Sequence, residues 1–131
     1  MTKANRPLSP HLSVYNWRVH SITSIMHRAT GMALAGGIVL LTWWLVALAS
    51  GHESFNTVQA CLASPFGRLV LFGMTFALMQ HMASGIRHLF MDTGRLFELR
   101  ANTMSANMTY VFSIIATVAI WVVAYKQLGM M

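Results

Sequence analysis

Three stretches of this 131-residue chain contain no Asp, Glu, Lys or Arg: residues 29–52, 69–86 and 101–125. A helix needs about 20 residues to cross the hydrocarbon core of a bilayer, and inside that core only helices and closed barrels satisfy every backbone group. Each stretch is therefore predicted to be one membrane-spanning helix. The middle stretch is only 18 residues long between Arg68 and Arg87, so its helix is expected to continue through Arg87 and His88 to about Met91. The spans are placed at 29–51, 67–91 and 105–126, in one membrane-anchor domain covering 1–131 with an all-α fold. With 56% hydrophobic and 9% charged residues, against about 25% charged in an ordinary soluble domain, a water-soluble globule is excluded.

The formal charge of +6 would suggest nucleic acid as a partner in a soluble protein, but these charges cluster at the ends of apolar runs. Lys3, Arg6, Arg18 and Arg28 precede the first span, Arg87, Arg95 and Arg100 lie between the second and third, and only Arg68 and Lys126 fall on the other side. Seven against two is a positive-inside bias. It predicts a cytoplasmic (or matrix) amino terminus and an outward carboxyl terminus, with membrane lipid and no nucleic acid as partner. The residues before the first span do not resemble a cleavable signal, so that span is expected to direct insertion itself. Residues 1–15 are expected to be extended along the surface, because Pro7 and Pro10 oppose a helix. Residues 50–65 read as a short outer connection with Gly51, Ser54, Asn56 and Ser64 supplying turn chemistry. Cys61 has no disulfide partner in the chain, and the absence of CxxCH excludes covalently attached c-type haem.

An ionisable side chain inside a span is functional by default, since burying it is costly. His81 lies near the middle of the second span, and Gly73, Ala77 and Gly85 continue its i, i+4 row with small residues. Neutral imidazole ligates haem iron, and a row of small residues would let a flat macrocycle approach the backbone. The same row equally suits close helix packing, with His81 hydrogen-bonded to a neighbour. His88, seven residues on, returns to the same face about 10 Å further along the axis, at the level of Arg87 and Asp92. Neither the first nor the third span offers a histidine at the depth of His81, so a second axial ligand would have to come from another chain. His27 is placed level with His88 rather than His81.

A second group comprises Ser24, His27, Arg28 and Thr30, followed by Gly31. Ser24 and Arg28 are i, i+4 neighbours; a hydroxyl beside a cation could hydrogen-bond a quinone carbonyl and stabilise charge developing on its oxygen. Arg28 could equally be a topology anchor and Ser24 a locally bonded hydroxyl. His11, His20 and His52 are expected to be solvated or interfacial. Trp43, Trp44, Trp121 and Tyr125 suit an outer aromatic belt, and Ser113 and Thr117 are expected to bond within their own helix.

These motifs resemble the cytochrome b membrane-anchor subunit of succinate dehydrogenase (complex II). Arg6-Pro7-Leu8-Ser9-Pro10-His11-Leu12 resembles the family's amino-terminal segment, and Ser24-Ile25-Met26-His27-Arg28-Ala29-Thr30-Gly31 its S-x-x-H-R-x-[ST]-G signature. His81 with Gly85-Ile86-Arg87-His88-Leu89 and Asp92 matches its H-x3-G-[apolar]-R-H-[apolar]-x-x-D signature. The resemblance implies that His81 is one axial ligand of a haem b shared with a second small anchor subunit in a heterodimeric helix bundle. It implies that Ser24 and Arg28 line the site of quinone, ubiquinone being the substrate, and that His27, Arg28 and His88 lie near the haem propionates. The implied partners are the second anchor, an iron–sulfur subunit and a flavoprotein, in a bacterial inner membrane in preference to a mitochondrial one. As a subunit of succinate:quinone oxidoreductase, the chain alone would not oxidise succinate: it has one cysteine and no Gly-rich nucleotide loop. Two other classes compete with this reading, a structural anchor without cofactor and a small transporter, which would require a charged coupling residue inside a span.

Overall fold

The computed structural model describes residues 16–129, leaving the expectations for 1–15, including the segment from Arg6 to Leu12, outside the described residues. Four helices follow one another: α1 (Val19–Ser50), α2 (His52–Ala63), α3 (Pro65–Asp92) and α4 (Leu99–Gln127). The described residues contain no strand. α1, α3 and α4 are long and apolar enough to cross a membrane. α1 begins well before the predicted span, at Val19. Its 32 residues extend about 48 Å at 1.5 Å each, more than the hydrocarbon core of about 30 Å. Ser24, His27 and Arg28 are therefore held on a rigid helix that outlasts the apolar run, not on an approach to it.

The connection at residues 50–65 is not the turn-rich loop expected. It is mostly the 12-residue helix α2, and Ser54 and Asn56 lie within it. The breaking residues stand only at its ends, Gly51 before it and Ser64-Pro65 after it. Between them Phe55, Val58 and Leu62 recur at helical spacing, an apolar face of the kind that drives a short helix onto a neighbour. Val58 is 3% exposed, and Phe55 sets its ring edge-on against Trp44 of α1, 5.8 Å between centroids. The corner into α3 is capped: Ser64 Oγ accepts from the Gly67 N–H at 3.1 Å, and Pro65 occupies the first turn, where its missing N–H costs nothing. A Cβ on Gly67 would lie 2.4 Å from the Cys61 carbonyl oxygen and 2.7 Å from Leu62 Cα. Only glycine allows α2 and α3 to meet this closely.

Packing among the three long helices inverts the pattern of a soluble core. The buried side chains are small or polar: Ala47, Ala77 and Ala106 with Thr23, Thr30, Ser84, Thr109, Ser113 and Thr117. Large apolar residues such as Ile38, Phe66, Met104 and Ile115 face outward. Lipid tails are as apolar as leucine, so helices in a bilayer associate through close approach and hydrogen bonds rather than through hiding large apolar groups. α4 shows this along one face, where Thr109, Ser113 and Thr117 return their hydroxyls to the carbonyls of Ala106, Thr109 and Ser113 at 2.8, 2.6 and 2.7 Å. The expected local bonding of Ser113 and Thr117 is what the structure has. Thr109 Oγ1 in addition accepts from Gln80 Nε2 of α3 at 3.3 Å, a buried hydrogen bond between the two helices.

Both ends of the α3–α4 pair are fastened. At one end Arg68 lies over the Tyr125 ring, 6.0 Å from its centroid, and Trp121 Nε1 donates to Thr75 Oγ1 at 3.2 Å. At the other, Arg87 is 5% exposed; its Nε donates to Ser105 Oγ at 3.1 Å and its Nη2 to Asn102 Oδ1. The planar guanidinium fork bridges two α4 side chains at once, as a lysine could not.

Candidate functional site

His81 projects from α3 onto α1, and three consecutive features of α1 receive it. Its Nδ1 lies 3.1 Å from the His27 carbonyl oxygen and 3.3 Å from Thr30 Oγ1. Thr30 Oγ1 donates its own proton back to the carbonyls of Met26 and His27, at 2.8 and 3.0 Å. A carbonyl only accepts and the threonine proton is already given away, so His81 Nδ1 carries the hydrogen in this bond. The free nitrogen is then Nε2. Gly31 completes the seat: a Cβ there would stand 3.0 Å from His81 Cε1, tight enough to push the ring off the helix.

His27 lies against both other histidines of the site, not level with His88 alone. Its ring stacks on His81 with centroids 4.0 Å apart and planes 11° from parallel, and it meets His88 at 4.9 Å and 55°. The expected placement beside His88 and away from His81 is corrected by the packing of α1 on α3, which brings the start of α1 onto the carboxyl-terminal half of α3. Parallel stacked rings cannot ligate one iron from opposite faces of a macrocycle, so His27 does not supply the second ligand to His81. Among the described residues no trio of His, Cys, Asp or Glu converges as a chelating set; His27 and His81 meet face to face and His88 is tilted against His27. His27 Nδ1 is 2.8 Å from Ser84 Oγ.

The small-residue row divides. Ala77 is buried at 6% exposure, and Gly85 faces His27, whose Cε1 would be 3.6 Å from a Cβ there, whereas Gly73 has open space beside it. Two of the three small residues thus serve contacts within this chain. Arg87 turns to α4, away from its neighbour His88, while Asp92 is exposed.

Ser24 and Arg28 are both exposed and lie on a different side of α1 from the inward stripe of Thr23, His27 and Thr30. Arg28 lines an open groove with Ile25, Ala29, Gly31, Met32 and Ala35. The α1 motif thus separates in space: His27, Thr30 and Gly31 seat His81, while Ser24 and Arg28 face outward. Gly31 belongs to both, since it borders the groove and touches the His81 ring. Thr30 and Gly31 stood in the motif, but their role toward His81 did not; Ser84 was not singled out. The available signal was spacing: Thr23, His27 and Thr30 share one helical face, as do Gln80 and Ser84. His20 belongs to α1, and His52 opens α2, exposed.

Residues 2–120 match the family described as succinate dehydrogenase/fumarate reductase transmembrane subunit. The chain is 40% identical over 125 residues to the succinate dehydrogenase cytochrome b556 subunit of Paracoccus denitrificans, covering 95% of this chain and 96% of that one. It is 35% identical to the protein of the same name from Rickettsia felis, over 89% of this chain and 91% of that one. To the mitochondrial succinate dehydrogenase cytochrome b560 subunit of Homo sapiens it is 32% identical, over 89% of this chain and 70% of that one. A three-span helical chain whose two histidine motifs meet face to face thus belongs to the succinate dehydrogenase/fumarate reductase transmembrane-subunit family.

Proposed function

We propose that this chain is the cytochrome b membrane anchor of a bacterial inner-membrane succinate:quinone oxidoreductase, holding haem b jointly with a second small anchor subunit. Its further partners would be the iron–sulfur subunit, which delivers electrons, and the flavoprotein, which oxidises succinate. The observation that carries this reading is the His81 seat. Nδ1–H bonded to a backbone carbonyl fixes ring orientation and leaves Nε2 as the donor atom, an arrangement that metal-ligating histidines commonly use. His81 would hold the haem iron through Nε2, with His27, Arg28 and His88 toward the propionates. The bound haem would supply a one-electron store between the iron–sulfur relay and quinone. Arg28 in the outward groove, with Ser24 one turn before it, would bind ubiquinone, the hydroxyl and guanidinium orienting its carbonyl and stabilising negative charge on that oxygen.

Purification of the membrane complex through this chain is expected to bring the other three subunits with it and to give a b-type band in the reduced-minus-oxidised spectrum. A complex of four subunits with no such band would leave only the cofactor-free anchor. The orientation follows the seven-to-two distribution of Lys and Arg: reporter fusions at Arg95 and Glu53 should give opposite readings, with Arg95 cytoplasmic. The same reading from both sites would overturn the three-span topology.

A further inference from the structure

Ser84 is fully buried, and its single hydroxyl proton has a determinable destination. Oγ lies 2.6 Å from the Gln80 carbonyl oxygen, 3.3 Å from that of His81 and 2.8 Å from His27 Nδ1. A contact of 2.6 Å between a hydroxyl and a carbonyl oxygen is a well-formed O–H···O bond, and only the hydroxyl can donate in it. Ser84 therefore has no proton left for His27, and the 2.8 Å contact is made by His27 Nδ1–H donating to Ser84 Oγ. We infer that Ser84 is a positioning residue of the haem site: it fixes the tautomer and plane of the His27 ring and, through the 4.0 Å stack, the plane of the His81 ring.

The inference rests on the reading of His81 as a haem ligand, and the geometry gives it a distinct consequence. Both rings carry their hydrogen on Nδ1, each bonded across to the facing helix, His81 to the α1 carbonyl of His27 and His27 to the α3 hydroxyl of Ser84. The two bonds run in opposite directions between α1 and α3 and tie the stacked pair at both sides. Gly85, one residue beyond Ser84, leaves the space into which His27 Cε1 fits. Without the Ser84 hydroxyl, His27 Nδ1–H loses its acceptor at 2.8 Å and is left with the His81 backbone as its remaining polar contact, so the ring would shift to satisfy its N–H there. His81 would keep its own bond but lose the fixed neighbour that sets its plane.

The test uses the assembled complex and measures haem content per flavin, the low-spin electron paramagnetic resonance signal and the haem reduction potential. Ser84→Ala is expected to keep the haem while broadening the low-spin signal, which depends on the planes of the axial rings. At a fixed applied potential its reduced-to-oxidised ratio should change by about two- to tenfold, the lower part of the range of coupling between contacting residues. Ser84→Thr should behave as the wild type, because threonines in this chain return their hydroxyl to the i−4 carbonyl just as Ser84 does. His27→Phe keeps a flat ring but no Nδ1, so adding Ser84→Ala to it should change nothing further. Wild-type signal and potential in Ser84→Ala, a shift in Ser84→Thr equal to that in Ser84→Ala, or additive effects in the double variant would each overturn the inference. Haem loss in Ser84→Ala that Ser84→Thr restores would support it. A wild-type complex that contains no haem would instead remove the underlying reading of His81.

Discussion

In complexes carrying His81→Leu, the b-type haem spectrum is expected to disappear or to become that of a high-spin, singly ligated haem. Leucine offers no lone pair, and no other described histidine can replace the lost nitrogen. His27 keeps a free Nε2, but its ring lies flat against that of His81 with centroids 4.0 Å apart, so it does not present a nitrogen where His81 did. His88 faces His27 at the far end of the same group. The helix should still form, since leucine is a good helix former and the seat that Gly31 provides accepts a side chain of comparable size. The control is His52→Leu, on exposed α2, which should leave the spectrum as it was. An unchanged spectrum and reduction potential in His81→Leu would end the assignment. If, as proposed, a second anchor subunit supplies the other haem ligand, the chain expressed alone should not give the bis-histidine spectrum.

The spans were legible because lipid imposes one coarse requirement on a crossing helix, a long run without charge; residues 29–52 and 101–125 meet it outright, and 69–86 meets it once its helix runs on through Arg87. The inner end of α1 was not. The apolar run stops at Ala29 while the helix continues back to Val19, since nothing in helix propensity requires a helix to end where the membrane does. α2 was missed for a different reason. Its apolar face of Phe55, Val58 and Leu62 is spread over only 12 residues and interspersed with Ser54 and Asn56, which favour turns only where tertiary packing does not decide otherwise.

At the site, His81 was visible from depth alone, because an isolated imidazole in mid-span demands an explanation. Its seat was hidden. A helix apolar on most sides carries little periodicity, so the sequence does not say how α1 is rotated against α3. That rotation decides that Thr30 and Gly31 serve His81, that Ser84 meets His27, and that Ser24 and Arg28 turn outward. Arg87 illustrates the same limit. It stands beside His88 in the sequence, but the structure directs its guanidinium to Ser105 and Asn102 of α4.

Separation of quinone reduction from succinate oxidation is the expected effect of Ser24→Ala and Arg28→Leu. Both side chains are exposed on the face of α1 that turns away from α3 and α4, and neither shares in the bonds that seat His81. Their loss should therefore spare the fold and the haem spectrum. A hydroxyl and a cation one turn apart can bond and polarise a quinone carbonyl, and removing a donor that acts on developing charge typically lowers the rate by about 10²-fold or more. Succinate-to-quinone electron transfer in each variant should fall by at least that order. Succinate oxidation measured with a dye that takes electrons upstream should persist, because on the proposed reading the flavin and the clusters belong to other chains. Arg28→Lys adds a further discrimination: it keeps the charge but loses the planar fork, so it should recover part of the rate if charge stabilisation dominates and little if directed hydrogen bonding does. Joint loss of dye and quinone activities would mean that the complex fails to assemble around α1. Full quinone activity in both Ser24→Ala and Arg28→Leu would remove the groove beside Gly31 from the quinone site and leave Arg28 as an anchor of topology.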